Sequence, residues 1–368
     1  MADYQQRRNR LRKLLEAVDG AAMLVTNQRN VRYLTGFTGD DSYLLVTADS
    51  ELLLSDPRFQ QQLTEECPGL ETWIRSPGEQ LWEVTCQQLS KRRVTHLVVE
   101  SSTMPVDLFD RLVAASGVGQ IHKGTVQVET LREIKDSEEI QCIQRAVDLA
   151  QRALKAIVPQ LTSSMTEMQL ANEIIRLIRH LGGSGCSFPP IVAVGPRAAL
   201  PHAAPGSTTI GSSSFVLIDW GATLDGYRSD LTRVLMTSKI PAKFRQVYQS
   251  VLEAQRAAIA MIRPGVTTGE VDFAARQVME SAGLADHFNH GTGHGIGLDV
   301  HEAPRLAKGQ QQVLQAGMVV TVEPGAYFPH WGGVRIEDDV LVTQTGHQVL
   351  SSLPVDLESN VIVLEEWK

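Results

Sequence analysis

The chain has 368 residues, long enough for two domains, and its 43% hydrophobic and 21% charged content is that of an ordinary globular protein. A formal net charge of -8 argues against a general nucleic-acid binder, which needs a basic face. No apolar run approaches the roughly 18 residues of a membrane span, no apolar stretch follows the charged amino terminus, and the cysteines (Cys67, Cys86, Cys142, Cys186) are scattered, so packed thiols and a cytoplasmic location are expected.

In chain order, residues 1–16 predict a charged helix with Leu11, Leu14 and Leu15 as its apolar edge. Residues 21–26 and 94–100 predict strands, and residues 42–47 and 51–55 a hairpin turning at Ala48-Asp49-Ser50. Residues 30–39, Asn-Val-Arg-Tyr-Leu-Thr-Gly-Phe-Thr-Gly, are a compact segment punctuated by aromatics and glycine. Nothing in this α/β unit combines nucleophile, base and orienting acid, so it is expected to support or shape a site.

A boundary falls within residues 123–134, dividing the chain into 1–127 and 128–368. Beyond it, Asp136 with Glu139 and Thr166 with Gln169 are capping boxes for two helices, stopped by Pro159 and by Gly182-Gly183. A second pair begins after Pro241 and at Thr267, with Glu270 completing the box, and closes at Pro264-Gly265 and Gly283. Strand-like runs between the pairs predict α+β architecture with antiparallel hairpins.

Those hairpins carry acids. Residues 215–221 (Phe-Val-Leu-Ile-Asp-Trp-Gly) end in Asp219, and residues 226–234 return with Arg228 and Asp230. Residues 318–325 (Met-Val-Val-Thr-Val-Glu-Pro-Gly) end in Glu323, and residues 332–340 return with Arg335 and Glu337. Each acid is expected just before a glycine turn, or on the return strand two residues after an Arg on the same face. Between the hairpins, residues 289–302 read Asn-His-Gly-Thr-Gly-His-Gly-Ile-Gly-Leu-Asp-Val-His-Glu. Each interior Gly costs a helix about 1 kcal/mol, so this run reads as backbone folded tightly around something, with His290, His294 and His301 pointing inward.

A single acid among Ile218 and Trp220 is explained by pairing with its Arg. Four are not, because burying each ion costs several kcal/mol against a domain stability of about 5–15 kcal/mol. Two divalent cations would neutralise Asp219, Asp230, Glu323 and Glu337, with His294 adding a neutral nitrogen. Oxygen-dominated ligation with one imidazole suits Mn²⁺, Co²⁺ or Fe²⁺ better than a structural Zn²⁺ site. Gly-x-Ser-x-Gly, His-Glu-x-x-His, the dinucleotide fingerprint and the P-loop are all absent.

With these residues assembled, the chain resembles the pita-bread metallopeptidases, and among them the proline-specific branch of Xaa-Pro dipeptidase (prolidase) and aminopeptidase P. The resemblance spans nearly the whole chain. Residues 30–39 look like the signature of the creatinase/prolidase amino-terminal domain. Residues 188–195 (Phe-Pro-Pro-Ile-Val-Ala-Val-Gly), 200–203 (Leu-Pro-His-Ala), 290–301 and 333–338 (Gly-Val-Arg-Ile-Glu-Asp) match the catalytic domain. It implies a small α/β amino-terminal domain, a pita-bread domain of pseudo-two-fold repeated halves, and a cytoplasmic homodimer contacting neither nucleic acid nor membrane. It further implies Asp219 on one metal, His294 and Glu323 on the other, and Asp230 and Glu337 bridging both. Mn²⁺ is the first choice, with Co²⁺, Fe²⁺ and Zn²⁺ as alternatives. A bridging water or hydroxide would be the nucleophile, its pKa lowered toward neutrality, with Glu323 as proton acceptor. His202, His290 and His301 would hold the scissile carbonyl, the substrate carboxylate or the tetrahedral centre, and Arg335 would orient Glu337. Substrates would be proline-containing dipeptides or short peptides, with Phe188 or Trp331 as candidates for lining the ring pocket.

Three other readings compete. A methionine aminopeptidase lacks the amino-terminal domain and residues 332–338, a creatinase-like amidinohydrolase uses no metal, and non-catalytic pita-bread peptide-binding modules have lost ligands that are intact here. Residues 353–368 and the histidines at 96, 122, 180, 287, 330 and 347 receive no functional role.

Overall fold

The computed structural model of the protein describes residues 3–18, 21–237 and 239–364. Contacts divide it into two units, Met1–Arg132 and Glu133–Lys368. In the first, strands β1 (Ala22–Val25), β2 (Tyr43–Val46), β3 (Glu51–Ser55), β4 (Thr72–Ile74), β5 (His96–Val99) and β6 (Gln120–Lys123) form one sheet in the order β4-β3-β2-β1-β5-β6. β2 runs antiparallel to both its neighbours and the other pairs are parallel. The expected hairpin closes with the Thr47 N–H donating to the Ser50 carbonyl. Leu24, Leu45, Leu54 and Leu97 pack with Val84, Leu89 and Leu112 of helices Leu81–Lys91 and Val106–Ala115.

The first helix, Tyr4–Leu15, departs from the expected apolar edge. Leu11 and Leu15 are buried but Leu14 is exposed, and Arg7 and Arg8 are buried in its place. Their guanidinium groups donate to the Tyr33 and Leu34 carbonyls at the end of helix Gln28–Thr35, so burial there follows hydrogen-bonding need rather than apolarity.

In the second unit, helices Ser137–Ile157, Glu167–His180, Ala242–Met261 and Thr268–Ser281 form where predicted, and all three expected capping boxes are present. The first helix pair is followed by β7 (Gly185–Cys186), β8 (Ile191–Val194), β9 (Phe215–Trp220), β10 (Ala222–Leu224), β11 (Tyr227–Arg228) and β12 (Leu231–Met236). The second is followed by β13 (Gly293–Gly295), β14 (Glu302–Leu306), β15 (Val319–Val322), β16 (Gly325–Phe328), β17 (Gly332–Arg335), β18 (Asp338–Val342) and β19 (His347–Val349). β9 pairs with β12 and β10 with β11; in the repeat, β15 pairs with β18 and β16 with β17. One core of Ile191, Leu217, Val234, Phe244, Val251, Val320, Val334 and Val340 spans both halves.

The hairpins differ from the predicted single strand out and single strand back. The first reverses at Asp225-Gly226, both at positive φ (49° and 78°), as a two-residue hairpin turn requires, and not at Gly221. The second reverses through residues 329–331. Both return strands are interrupted, at Ser229-Asp230 and at Ile336-Glu337, so the acids sit at breaks between short ladders. A Cβ at Gly221 would lie 1.8 Å from the Ser229 carbonyl oxygen, which explains glycine at that crossing.

An antiparallel bridge between Thr232 and Glu337 joins the halves. Arg233, 0% exposed, donates to the Thr232, Glu337, Leu353 and Pro354 carbonyls and pairs with Asp338 at 2.7 Å. This assigns a structural role to the described part of residues 353–368, whose Ile362 N–H also donates to the Met236 carbonyl. Among the described residues the cysteines are free, three of them buried, and no helix is long and apolar enough to cross a membrane.

Arg233→Ala leaves Asp338 buried without its cation, a loss worth roughly 3–5 kcal/mol. The melting temperature is expected to fall by roughly 6–20 °C. An unchanged melting temperature would show that this clamp does not hold the halves together.

Candidate active site

Asp219 lies in β9 between Ile191 of β8 and Thr232 of β12, on a strand with every residue buried. Thr232 is therefore registered against Asp219 on one side and Glu337 on the other. Its hydroxyl donates to Glu337 Oε2 at 2.6 Å and accepts from Arg335 Nε at 3.1 Å. The backbone break at Asp230 frees its N–H to donate to Asp339 Oδ2 at 3.0 Å. These contacts bring residues more than a hundred positions apart into one buried volume.

Arg335 reaches Glu337 through the Thr232 hydroxyl and not by direct contact on a shared strand face. Its Nη2 donates to Asp219 Oδ2 at 2.5 Å and its Nη1 to the Tyr327 hydroxyl at 2.8 Å. The break at Ile336 is the physical reason, because regular alternation ends between the two residues.

His294, in β13, has Nδ1 at 3.0 Å from the Gly295 carbonyl. A carbonyl only accepts, so Nδ1 carries the hydrogen and Nε2 presents a lone pair. That Nε2 lies 3.8 Å from Asp230 Oδ2 and 3.5 Å from Glu323 Oε1. Burial, with the charges of His301 and Arg305, lowers the His294 pKa to about 4, so the imidazole is neutral. Asp230, His294 and Glu337 each offer one ligand atom within 4.8 Å of the others. A neutral lone pair facing carboxylate oxygens is a contact that a cation between them would make favourable.

The carboxylates tell the same story. Burial raises Asp219 despite Arg335 beside it. Burial and then the charges of Glu337 and Asp219 push Asp230 well above the usual range. Glu337 rises likewise, by burial and then Glu323 and Asp219, and Glu323 is pushed up to about 7, chiefly by burial. Asp219 Oδ1 and Asp230 Oδ1 are buried without a hydrogen-bond partner. Such a group cannot remain fully ionised unless positive charge joins it, and its oxygen-rich donor set fits divalent cations such as Mn²⁺.

Of the remaining predicted residues, His290 donates from Nδ1 to its neighbour, the Gly291 carbonyl, at 2.8 Å, and accepts from the Tyr327 hydroxyl at 2.9 Å through Nε2. A chain thus runs from Arg335 through Tyr327 to His290, which burial holds at about 4 and therefore neutral. His301 is exposed, with its ring edge-on to His294 at 4.3 Å between centroids. His202 is exposed too. Trp331 packs with Phe215, Phe244 and Phe328, while Phe188 is half-buried.

Sequence reasoning missed Thr232, Tyr327, Asp339 and Arg305. The first three depend on long-range register. Arg305 had a signal: it lies four residues past His301, and it pairs in register with His294 across β13 and β14. Its guanidinium is exposed and, among the described residues, has no hydrogen bond or ion pair. What the glycine run folds tightly around is neighbouring backbone. A Cβ at Gly293 would lie 1.9 Å from the Thr321 carbonyl oxygen, and one at Gly295 would lie 2.2 Å from that of Ala303. The glycines admit neighbouring strands.

Comparison with known proteins agrees with this geometry. The sequence profile of metallopeptidase family M24 matches residues 141–344, and that of the creatinase/prolidase N-terminal domain matches residues 7–134. An Xaa-Pro dipeptidase of Pyrococcus horikoshii is 32% identical over 95% of this chain and 98% of its own. The solved Xaa-Pro dipeptidase from Bacillus anthracis superposes with a TM-score of 0.93 at 32% identity, over 98% of this chain and 100% of the other. An X-Pro aminopeptidase from Thermotoga maritima gives 0.87 at 30% identity, over 96% and 100%. The fold is thus the pita-bread architecture of these enzymes.

Because the metal-free carboxylates repel one another, Asp230→Asn is expected to raise the melting temperature of EDTA-treated protein. In the unaltered protein, Mn²⁺ at a hundred times its dissociation constant is expected to add about 2.7 kcal/mol per site, a rise that Asp230→Asn loses. A melting curve indifferent to EDTA and Mn²⁺ would rule out the site.

Proposed function

Because the chain belongs to metallopeptidase family M24, we propose that it hydrolyses Xaa-Pro bonds in dipeptides or at the amino terminus of short peptides, using two divalent cations. Asp219, Asp230, His294, Glu323 and Glu337 would hold them, with Mn²⁺ the first choice for this donor set. The observation that carries the reading is the convergence of ligand atoms from Asp230, His294 and Glu337. Divalent cations bound there supply Lewis acidity, activation of water and the charge that offsets the carboxylates.

The chain's own residues divide the remaining work. Glu323 is the least buried of the four acids, which favours it as the group that takes a proton from the attacking water and returns it to the proline nitrogen. That nitrogen carries no hydrogen in the substrate, so cleavage needs a donor placed beside it. The exposed rings of His202 and His301 are suited to hold the scissile carbonyl oxygen and the developing tetrahedral centre, while neutral His290, both ring nitrogens engaged by the Gly291 carbonyl and the Tyr327 hydroxyl, borders the site without a free donor. Arg335 works through Asp219, keeping one carboxylate fixed while the cluster fills.

Arg305 favours dipeptides over longer peptides. A free guanidinium beside His294 and His301 offers a counter-charge for the proline carboxylate, which in a dipeptide lies next to the scissile bond.

Hydrolysis of an Xaa-Pro dipeptide under added Mn²⁺, Co²⁺ or Zn²⁺ tests the reading, and Asp230→Ala and Glu337→Ala are expected to abolish it. Near-normal turnover in either variant would refute the ligand assignment. Arg305→Ala is expected to raise KM for the dipeptide about ten- to hundredfold, the worth of one charge-assisted hydrogen bond, while leaving an Xaa-Pro amide unaffected. Equal effects on both substrates would remove the carboxylate role.

A further inference from the structure

His202 is held by nothing at its side chain. Among the described residues its imidazole has no hydrogen bond or ion pair, and it is exposed. Its aim is therefore set by the backbone of residues 195–206, the loop that carries it, and that loop has an unusual anchor. Glu167, at the first position of helix Glu167–His180, is 0% exposed. Its Oε1 accepts from the Val194 N–H at 2.8 Å, where the loop begins, and its Oε2 accepts from the Gly206 N–H at 2.8 Å, where it ends. Arg197 donates from Nε to both oxygens, at 3.0 and 2.8 Å, and from Nη2 to the Ala204 carbonyl at 2.6 Å. One buried carboxylate thus ties both ends of the loop and, through Arg197, spans it.

The loop tip is tied separately, since Arg335 Nη2 donates to the Pro201 carbonyl at 3.3 Å while bonding Asp219. The residue before His202 is thereby referenced to the carboxylate cluster, and the loop base to a rigid helix. Close packing adds to the constraint, because a Cβ at Gly206 would lie 3.3 Å from Glu167 Oε2.

We propose that Glu167 and Arg197 are positioning residues for the hydrolytic reaction, a clamp built on one buried carboxylate whose task is to fix the aim of His202. The proposal rests on the reading that His202 contacts the substrate. Removing the clamp leaves the loop able to shift, and misplacement of a substrate-contacting group by about 1 Å costs up to roughly a hundredfold in rate. Glu167 and Arg197 make no hydrogen bond to Asp219, Asp230, His294, Glu323 or Glu337, so cation binding is expected to survive removal of the clamp.

The test is a double-mutant cycle on the metal-loaded full chain with an Xaa-Pro dipeptide. Arg197→Met, whose side chain is 36% exposed in the parent, keeps both backbone bonds to Glu167 and serves where Glu167→Ala fails to fold. Glu167→Gln is the conservative partner. Arg197→Met is expected to lower kcat about tenfold or more with Mn²⁺ stoichiometry close to the parent's, measured below a melting temperature that falls because Glu167 stays buried without its cation. Combined with His202→Ala it is expected to cause no further loss, because the group it positions is gone. Losses that multiply in the double variant, or a loss that follows Mn²⁺ content, would overturn the proposal. A parent-like rate for His202→Ala alone would instead sink the role of His202, while a parent-like rate for Arg197→Met beside an impaired His202→Ala would sink only the clamp.

Discussion

Four carboxyl groups and one guanidinium share a volume from which water is nearly excluded, and the charges do not balance. Asp219, Asp230 and Glu337 are each under a tenth exposed, and Glu323 stands beside them. Arg335 is shared among Asp219, Tyr327, Thr232 and the Pro201 carbonyl. Every other feature of the site reads as accommodation of that imbalance: neutral His294 with its lone pair inward, Thr232 donating to Glu337, and the backbone N–H of Asp230 turned away to Asp339. A domain stable by about 5–15 kcal/mol cannot absorb several uncompensated ions, so the fold is one that expects cations.

Holding mutually repelling groups together requires scaffolding stiffer than loops. Asp219 sits within a long pairing and Asp230, Glu323 and Glu337 where ladders meet, with six registered pairs between β9 and β12 and four between β15 and β18. The breaks at Ser229-Asp230 and Ile336-Glu337 let side chains leave the regular face of a strand without losing the strand's rigidity. Arg233 ties these breaks together from behind, satisfying carbonyls of both halves and of the carboxy-terminal segment. Its burial is tolerated because every hydrogen-bonding direction of the guanidinium that the structure uses ends on a carbonyl or on Asp338.

What could be read in the sequence was what is local. Capping boxes at Asp136, Thr166 and Thr267 involve residues three apart, and all three form. The matched acids were visible because the two halves repeat Asp-Trp-Gly-Ala and Glu-Pro-Gly-Ala, and Arg-Ser-Asp and Arg-Ile-Glu. The partner of Arg335 was not visible, since strand alternation points it at Glu337 and only the break at Ile336 redirects it across 116 residues to Asp219. Thr232, Arg233 and Glu167 escaped for the same reason: a Thr or Glu in an ordinary segment gives no sign of the register that will bury it. The glycine run was rightly read as tight backbone, but what crowds it is other strands.

The repeat also explains why the two halves do not do the same work. Arg228 and Arg335 occupy equivalent places two residues before an acid, yet Arg228 donates to the Ser187 and Leu298 carbonyls while Arg335 reaches the first-half acid Asp219. Asp219 is thereby pinned and fully enclosed. Among the described residues its counterpart Glu323 has no arginine at hydrogen-bonding distance, and it is only partly buried, with His294 Nε2 as its near neighbour. Arg335 thus fixes Asp219, while Glu323 keeps the greatest solvent access of the four acids, and that asymmetry favours Glu323 for the proton-carrying role proposed for it.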